Sequence, residues 1–430
     1  MFVEIYKNIF LFFIIALIGA NSVTAENELT EPVAVERLYF RDALEQAYEY
    51  SSKMIEARKS IEASRGDLFT ARTFKNPEAE LEFGGFKKDE DGNQNTNLDS
   101  FEIKQPFDPL GVRFLKSKMA SGEVHIQEEK LRAVWMEIYL SVRHTYSEII
   151  LHKKEIELAS QNLEAMRQFF SRVQLRYNSG QTLKNDFQRA KIELLKVEND
   201  YLSIQKELQT DKARLNLILG RPMDTDFEIV EELKEEELSL TFEEIKAIGF
   251  KNRPDVKMAD FELDVKRKNL FKEHLNRLPS YYLGFKRIDE DDRDDYAILV
   301  GASLPLWNLN QGEVKKAQAE KEIQEQKVKT TQDQAALDIY EAYLRADLHH
   351  KQLDIAKKSL EEADELLRLA NLRYSEGKID FLNYLDQIRT ATQSKVNYYR
   401  TLFNLSQSIS ELEVFLAQSL RQEEFLNAKF

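Results

Sequence analysis

Two stretches of this chain write the same 3,4 spacing of apolar residues in the same phase. Ile156, Ala159, Leu163, Met166, Phe170, Val173 and Tyr177 form the first stretch. Leu353, Ala356, Leu360, Ala363, Leu367, Ala370 and Tyr374 form the second, offset by 197 positions. Such spacing draws one narrow stripe along a helix, and a stripe sustained over many turns must be buried along its whole length against other helices. The pattern predicts long helices lying side by side. Composition agrees, because 14 Gly, 8 Pro and 32% charged residues in 430 match a long-helix profile better than a mixed domain.

Each seam ends at the same break, LRYNSG at Leu175 and LRYSEG at Leu372, and beyond the first break the 3,4 pattern resumes at Phe187, Ala190, Leu194, Val197 and Tyr201. Two helices meeting at a break form a helical hairpin, with Gly180 and Gly377 free to take the left-handed conformation at the turn. A kink in one helix is the alternative, and its recurrence in both halves favours the hairpin. The leg from Gly111 to Tyr177, if continuous, is roughly 100 Å long at ~1.5 Å per residue.

The whole chain aligns on itself in the same manner. FRDALEQA at Phe40 falls on FEEIKAIG at Phe242, and Pro77 falls on Pro279, an offset of 202 that shortens to 199 at Pro106 and Pro305. The expected organisation is a first repeat over 26–222, an acidic linker over 223–240, a second repeat over 241–420 and a tail over 421–430. The helical tips are expected near 177–187 and 374–386.

Each repeat also holds one segment of period 2. EAELEF at Glu78 alternates Ala79, Leu81 and Phe83 with three glutamates, and the pattern returns in FEIKQPF. In the second repeat YYLGFKRI at Tyr281 leads to YAILVGASLPLW. These are two strand pairs, about 77–106 and 279–305. They suit either a half-buried soluble hairpin or transmembrane strands with lipid on one side and a lumen on the other. In the second case four strands cannot close a barrel, and open edges in hydrocarbon leave backbone groups unsatisfied, so several chains must share one barrel. Three chains would bring about 12 strands and about 12 helical legs.

The N-terminus, MFVEIYKNIFLFFIIALIGANSVTA, places Lys7 before an apolar run and ends on the small-x-small triplet Val23-Thr24-Ala25. That is the pattern of a secretory signal over 1–25 cleaved after Ala25, since the run falls short of the ~20 residues needed to span a bilayer. The exported chain has no cysteine for disulfides or for a lipid anchor. Its net charge of -14 disfavours nucleic acid as a partner.

No phosphate loop, His-Glu-x-x-His or serine elbow is present, so no catalytic residue and no cofactor is expected. His144, His152, His349 and His350 lack a metal-ligand spacing and read as a solvated face, so no metal site is assigned to them. The acidic runs DEDG at Asp89 and DEDDRDD at Asp289 read as turns rather than calcium loops, since the full EF-hand pattern is missing. Trp135 and Trp307 read as packing residues, with an interfacial membrane anchor the alternative for Trp307.

The duplicated RY-x-x-G segments, the pair FRDALEQA and FEEIKAIG, the pairs Arg221-Pro222 and Arg253-Pro254, and the strand exits QPFDPLG and LPLWNLNQG together resemble the TolC-like outer-membrane efflux proteins. KNPEAELEFGGF at Lys75 and SLPLWNLNQGEVKKAQAE at Ser303 resemble the cobalt-zinc-cadmium resistance branch. The resemblance implies a mostly α fold, in which long antiparallel helical hairpins form an α-barrel and four strands per chain enter a shared transmembrane β-barrel in a homotrimer. It implies an outer-membrane location reaching into the periplasm, contact with outer-membrane lipid, a periplasmic adaptor, and an inner-membrane, proton-driven pump. Divalent heavy-metal cations would be the cargo, with a duct for drugs or type I secreted proteins as the alternative. A periplasmic coiled-coil scaffold is the more remote one.

On the same resemblance, Tyr177, Gly180, Tyr374 and Gly377 fall at an adaptor-docking tip. Asp186, Asn383 and Asp386 fall at a channel constriction, where Asn383 replaces a carboxylate common in the family and Ile379 stands where some members carry a basic gate partner.

Overall fold

The computed structural model describes residues 36–83, 98–235, 242–290, 293–418 and 420. The expected signal segment, the DEDG run, residues 236–241 of the linker and the tail lie outside the described residues. Among the described residues eight helices appear in order: α1 (Phe40–Tyr50), α2 (Ser52–Arg72), α3 (Val112–Asn178), α4 (Lys184–Ile218), α5 (Phe242–Asn252), α6 (Pro254–Leu275), α7 (Gln311–Ser375) and α8 (Phe381–Leu416). The strands are β1 (Glu36–Leu38), β2 (Glu78–Phe83), β3 (Leu98–Phe107), β4 (Phe227–Ile229), β5 (Ser280–Glu290) and β6 (Arg293–Ser303). The order helix, helix, strand, strand, very long helix, shorter helix therefore recurs.

α3 and α7 run unbroken for 67 and 65 residues. Neither contains proline, and the seams are buried as their spacing requires: Leu163, Met166 and Val173 on α3 pack with Ala190 and Val197 on α4. In the second hairpin the seam residues Leu353, Ala356, Ala363 and Ala370 are buried on α7. Small residues there let the helices approach closely, and α7 packs along α8 as α3 packs along α4. α3 also packs against α8, and under the sheet it lies between α2 and α6, with α6 against α7.

The largest core sits midway along the long helices, where Phe40, Leu44, Trp135, Tyr139, Tyr146, Leu215 and Phe227 meet. Two polar groups are satisfied inside it: Tyr146 Oη donates to the Leu38 carbonyl at 3.1 Å, and Tyr139 Oη donates to Glu413 Oε2 at 3.0 Å. Part of the expected 223–240 linker belongs to this core. Residues Phe227–Ile229 form β4, which pairs with β1 and buries Phe227 and Ile229, while Glu231, Glu232 and Lys234 remain exposed. Arg253-Pro254 opens α6, with proline in the first turn where no backbone donor is needed. The Arg253 guanidinium is clamped between Asp255 at 2.6 Å and Asp338 at 2.9 Å.

The remaining strands form one antiparallel sheet in the order β2-β3-β5-β6, with both edges unpaired among the described residues. Its registers sort the side chains into two faces. Leu81, Phe101, Ile103, Leu283, Phe285, Tyr296, Ile298 and Val300 share one face. Glu80, Glu82, Ser100, Glu102, Lys104, Lys286 and Asp295 share the other. On the charged face Lys104 bridges to Glu102 at 2.7 Å, and Ser100 donates to Glu82 at 3.0 Å. Seven of these eight apolar residues, all but Phe101, are exposed, Arg287 and Gln105 share their face, and among the described residues nothing covers it. A soluble half-buried hairpin would instead bury that face.

Candidate functional site

The far ends of the two helical hairpins are built alike. At the end of α3 the Gln181 amide donates to the Arg176 carbonyl at 2.8 Å and the Gly180 amide to that of Tyr177 at 3.0 Å. At the end of α7 the Lys378 amide donates to Arg373 at 2.8 Å and the Gly377 amide to Tyr374 at 3.1 Å. These are Schellman closures, which need a left-handed residue. Gly180 and Gly377 supply it at φ 73° and 70°, with nothing within 4 Å of where a Cβ would sit. Backbone conformation, not packing, therefore selects glycine here.

The tyrosines that precede these glycines fix the angle of the returning helix. Tyr177 stacks on Phe187 with ring centroids 4.7 Å apart, and Tyr374 stacks on Tyr384 at 4.2 Å. Tyr384 Oη also donates to Asn371 Oδ1 at 2.8 Å. Phe187 and Tyr384 carry this geometry; Phe187 enters the sequence reading only as the start of the resumed 3,4 pattern and Tyr384 not at all, although each lies one turn into the returning helix. The two turns are also held to each other. Tyr374 and Leu385 pack against the α3–α4 cluster, and Arg389 of α8 pairs with Glu193 of α4.

Asp186 lies in the first turn of α4, and Asn383 and Asp386 lie in the first two turns of α8. All three are exposed in the single chain. Asp186 stands where the positive end of the helix dipole favours an anion. The second returning helix is capped by Asp380, whose side chain accepts from the Asn383 amide at 2.8 Å, whereas Leu183 in the equivalent place offers no cap. A carboxylate three residues before a helical amide is a cap signal readable in the sequence. Ile379 is half-buried.

Midway along the first hairpin His152 departs from the expected solvated face, whereas His144 is exposed as expected. His152 is only 16% exposed, with Nδ1 2.7 Å from Asp211 Oδ2 across the α3–α4 seam. Arg214 joins Asp211 at 2.9 Å to Glu148 at 3.1 Å, and His144 pairs with Glu148 at 3.2 Å. The bond to Glu148 holds the His144 imidazole above its ordinary pKa. Burial pushes the Asp211 carboxyl up, against the opposing effect of the His152 bond. Among the described residues no group of three or more His, Asp or Glu is arranged to hold a metal ion. Trp135 is packed as expected at 1% exposure, but Trp307 is 90% exposed among the described residues.

At the sheet end, Glu273 of α6 ties the start of α7. Asn310 donates to its carbonyl at 2.8 Å and to its carboxylate at 2.9 Å. Burial raises the Glu273 pKa, but the bonds from Lys272, Asn310 and Asn276 outweigh it and hold the carboxyl at about 2. The junction between sheet and long helix is therefore pinned by a carboxylate that stays charged.

The sequence matches the outer membrane efflux protein family over residues 43–221 and 250–417. It is 21% identical over 374 residues to the cobalt-zinc-cadmium resistance protein CzcC of Cupriavidus metallidurans, covering 84% of this chain and 86% of that one. The fold is similar to that of the Campylobacter jejuni CmeC outer membrane channel, at 13% identity and a TM-score of 0.77, covering 95% of this chain and 96% of the other. It is also similar to the open state of the Neisseria gonorrhoeae MtrE outer membrane channel, at 18% identity and a TM-score of 0.74, covering 89% and 90%. Among the described residues no helix is long and apolar enough to cross a membrane. The chain belongs to the outer membrane efflux protein family: it is a TolC-type, non-catalytic exit duct of the outer membrane whose long helices extend into the periplasm.

Proposed function

We propose that three copies of this chain join head to tail into one closed tube, and that the tube passes divalent heavy-metal cations out of the periplasm. The observation that carries the assembly is a coincidence of order. The strands run β2-β3-β5-β6, and the helices beneath them run α2, α3, α6, α7. Further down, the legs run α4, α3, α8, α7. Sheet and helices therefore end at the same two lateral edges, β2 with α2 and α4 on one side and β6 with α7 on the other. Each helical edge carries exposed apolar residues, Ile192, Leu195 and Leu202 on α4, and Leu337, Leu344, Leu348 and Ile355 on α7. Unlike edges that complement each other build a heterologous ring, and three copies supply about 12 strands, within the range of membrane barrels.

The recurring element order supports a duplicated unit, 26–222 and 241–420, joined by 223–240. So do Gly111 and Asn310, 199 positions apart, which both take left-handed φ at the start of a long helix. In this reading Tyr177, Gly180, Tyr374 and Gly377 form the surface on which a periplasmic adaptor docks. An inner-membrane, proton-driven pump supplies the energy. Asp186 and Asp386, three copies of each around the narrow end with Asn383 beside them, raise the local cation concentration there.

The metal cargo is supported by the similarity to CzcC and by the SLPLWNLNQG run. Growth of a clean deletion strain on Zn²⁺, Co²⁺ and Cd²⁺ beside dyes and detergents tests it. Selective metal sensitivity rescued by the wild-type gene is expected. Sensitivity to dyes and detergents with normal metal tolerance would assign drug export instead.

A further inference from the structure

The segment that follows β4 crosses the joint between the two hairpins. Its first end is fixed on α3: Phe227 and Ile229 are buried in the mid-helix core, Lys153 Nζ donates to the Ile229 carbonyl at 2.7 Å and pairs with Glu228 at 3.6 Å, and Lys154 pairs with Glu232 at 3.2 Å. Its other end is fixed on the second hairpin, where the Glu235 carboxylate accepts from Lys357 of α7 at 3.0 Å and from Tyr398 of α8 at 3.2 Å. Between these ends Leu233 packs both against the mid-helix core and against the cluster of Leu353, Leu402, Leu405 and Ile409. The chain from Glu228 to Glu235 reaches at most about 25 Å when extended, and the two interaxial steps from α3 over α8 to α7 take about 16–20 Å. The segment therefore has little slack. Above it, the second hairpin is held by the cluster of Ile245, Ile339, Ala342, Ala346, Leu412 and Leu416. Along α7, Lys357 lies about 27 Å from Ile339, and Tyr374 about 26 Å further on. A swing of the hairpin about that cluster is thus doubled at the tip.

We propose that Glu228–Glu235 is a strap that holds the second hairpin against the first, and that release of the Glu235–Lys357 pair lets the narrow end widen. The inference rests on the reading of the hairpin tips as the narrow end of a three-chain duct. A duct that never narrowed would pass periplasmic solutes continuously, so its constricted form needs a restraint, and a restraint that must also let go is suited by bonds that are individually weak. The pair has that character: Lys357 is 51% and Glu235 47% exposed, the setting in which an ion pair contributes little and is screened by salt. The bond from Lys357 holds the Glu235 carboxyl below its ordinary pKa, so the pair is charged at neutral pH. Because the pair stands about 26 Å from the tip along α7, changing it leaves the lining of the narrow end as it was. Any effect on that end must travel through the hairpin.

Single-channel recording from the full chain reconstituted in planar bilayers gives the ratio of open to constricted dwell time. Glu235→Lys and Lys357→Glu should each raise that ratio about 2- to 5-fold, the range of one exposed ion pair, and combining them should return it to the wild-type value. Raising KCl should lift the wild-type ratio but not that of Glu235→Lys, since screening weakens an attraction only where one exists. Tyr398→Phe removes the second donor without altering charge; it serves where a charge variant does not assemble, and should raise the ratio in the same direction. Single variants at the wild-type ratio, a combined variant that stays with the single ones, or a wild-type ratio unmoved by KCl would each overturn the strap and leave the duct standing. A wild type that conducts at one level only overturns the strap as well. If the wild type gives no conductance steps at all, the duct reading fails and the strap fails with it.

Discussion

Placing a lysine at two successive positions of β6 separates a membrane strand from any soluble alternative. β6 has 11 residues, about 37 Å of strand at ~3.4 Å each, and a tilt of about 40° projects this to about 28 Å, close to the ~25 Å apolar band of outer-membrane barrels. Ile298 is the sixth residue and is 78% exposed on the apolar face, so it falls at the mid-plane. Ile298→Lys should therefore cost about 2–4 kcal/mol, about 30- to 700-fold in the folding equilibrium. Ala297→Lys points to the charged face, opposite Lys286, where like-charge repulsion in water costs at most about 1 kcal/mol. Urea titration in vesicles, read by the heat-dependent mobility of the folded form, gives both numbers. Equal costs, or a larger cost at Ala297, would refute the assignment of faces.

Three further outcomes follow from the helices. Gly180→Ala and Gly377→Ala should each lose about 1 kcal/mol through left-handed strain alone, with Gly→Asn recovering part of it; equal stability of Ala and Gly variants in thermal melts would show that the turn is not held at positive φ. Glu155 of α3 is 3% exposed, and its carboxylate accepts from Arg400 of α8 at 2.6 Å. Because Arg400 is itself 58% exposed, Arg400→Ala should cost about 2 kcal/mol, less than the 3–5 of a fully buried pair, as measured by urea midpoint. His144 has a raised pKa, so its contribution is complete below about 6.5 and is lost as pH rises through the folded value. Wild type should lose more stability between pH 6 and pH 8.5 than His144→Gln, and parallel curves would contradict the Glu148 bond.

The long helices were legible because burial of a seam must recur every three or four residues, and Leu163, Met166 and Val173 are buried as that phase requires. The strand pairs were legible for the same reason at period 2, and the glycine turns from the one conformation they share. β1 and β4 were not. Three residues are too short for a period, and Phe227 and Ile229 find β1 far away in the sequence. The His152–Asp211 bond was hidden too, since spacing gives the phase of one helix but not which helix faces it. For the proposed constriction, the sequence places Asp186, Asn383 and Asp386 on their helices. Their approach to one another depends on an assembly around an axis, which no spacing within one chain specifies.

Head-to-tail closure is therefore the claim to measure first. The chain has no native cysteine, so Leu81→Cys on β2 and Tyr296→Cys on β6, which lie in one row of the sheet, can be joined by a flexible bis-maleimide without side reactions. The account predicts that a reconstituted double variant proceeds through a covalent dimer to a covalent trimer and stops there, while either single variant yields no trimer. Product that remains monomeric, ends at a dimer, or extends beyond three chains would contradict it.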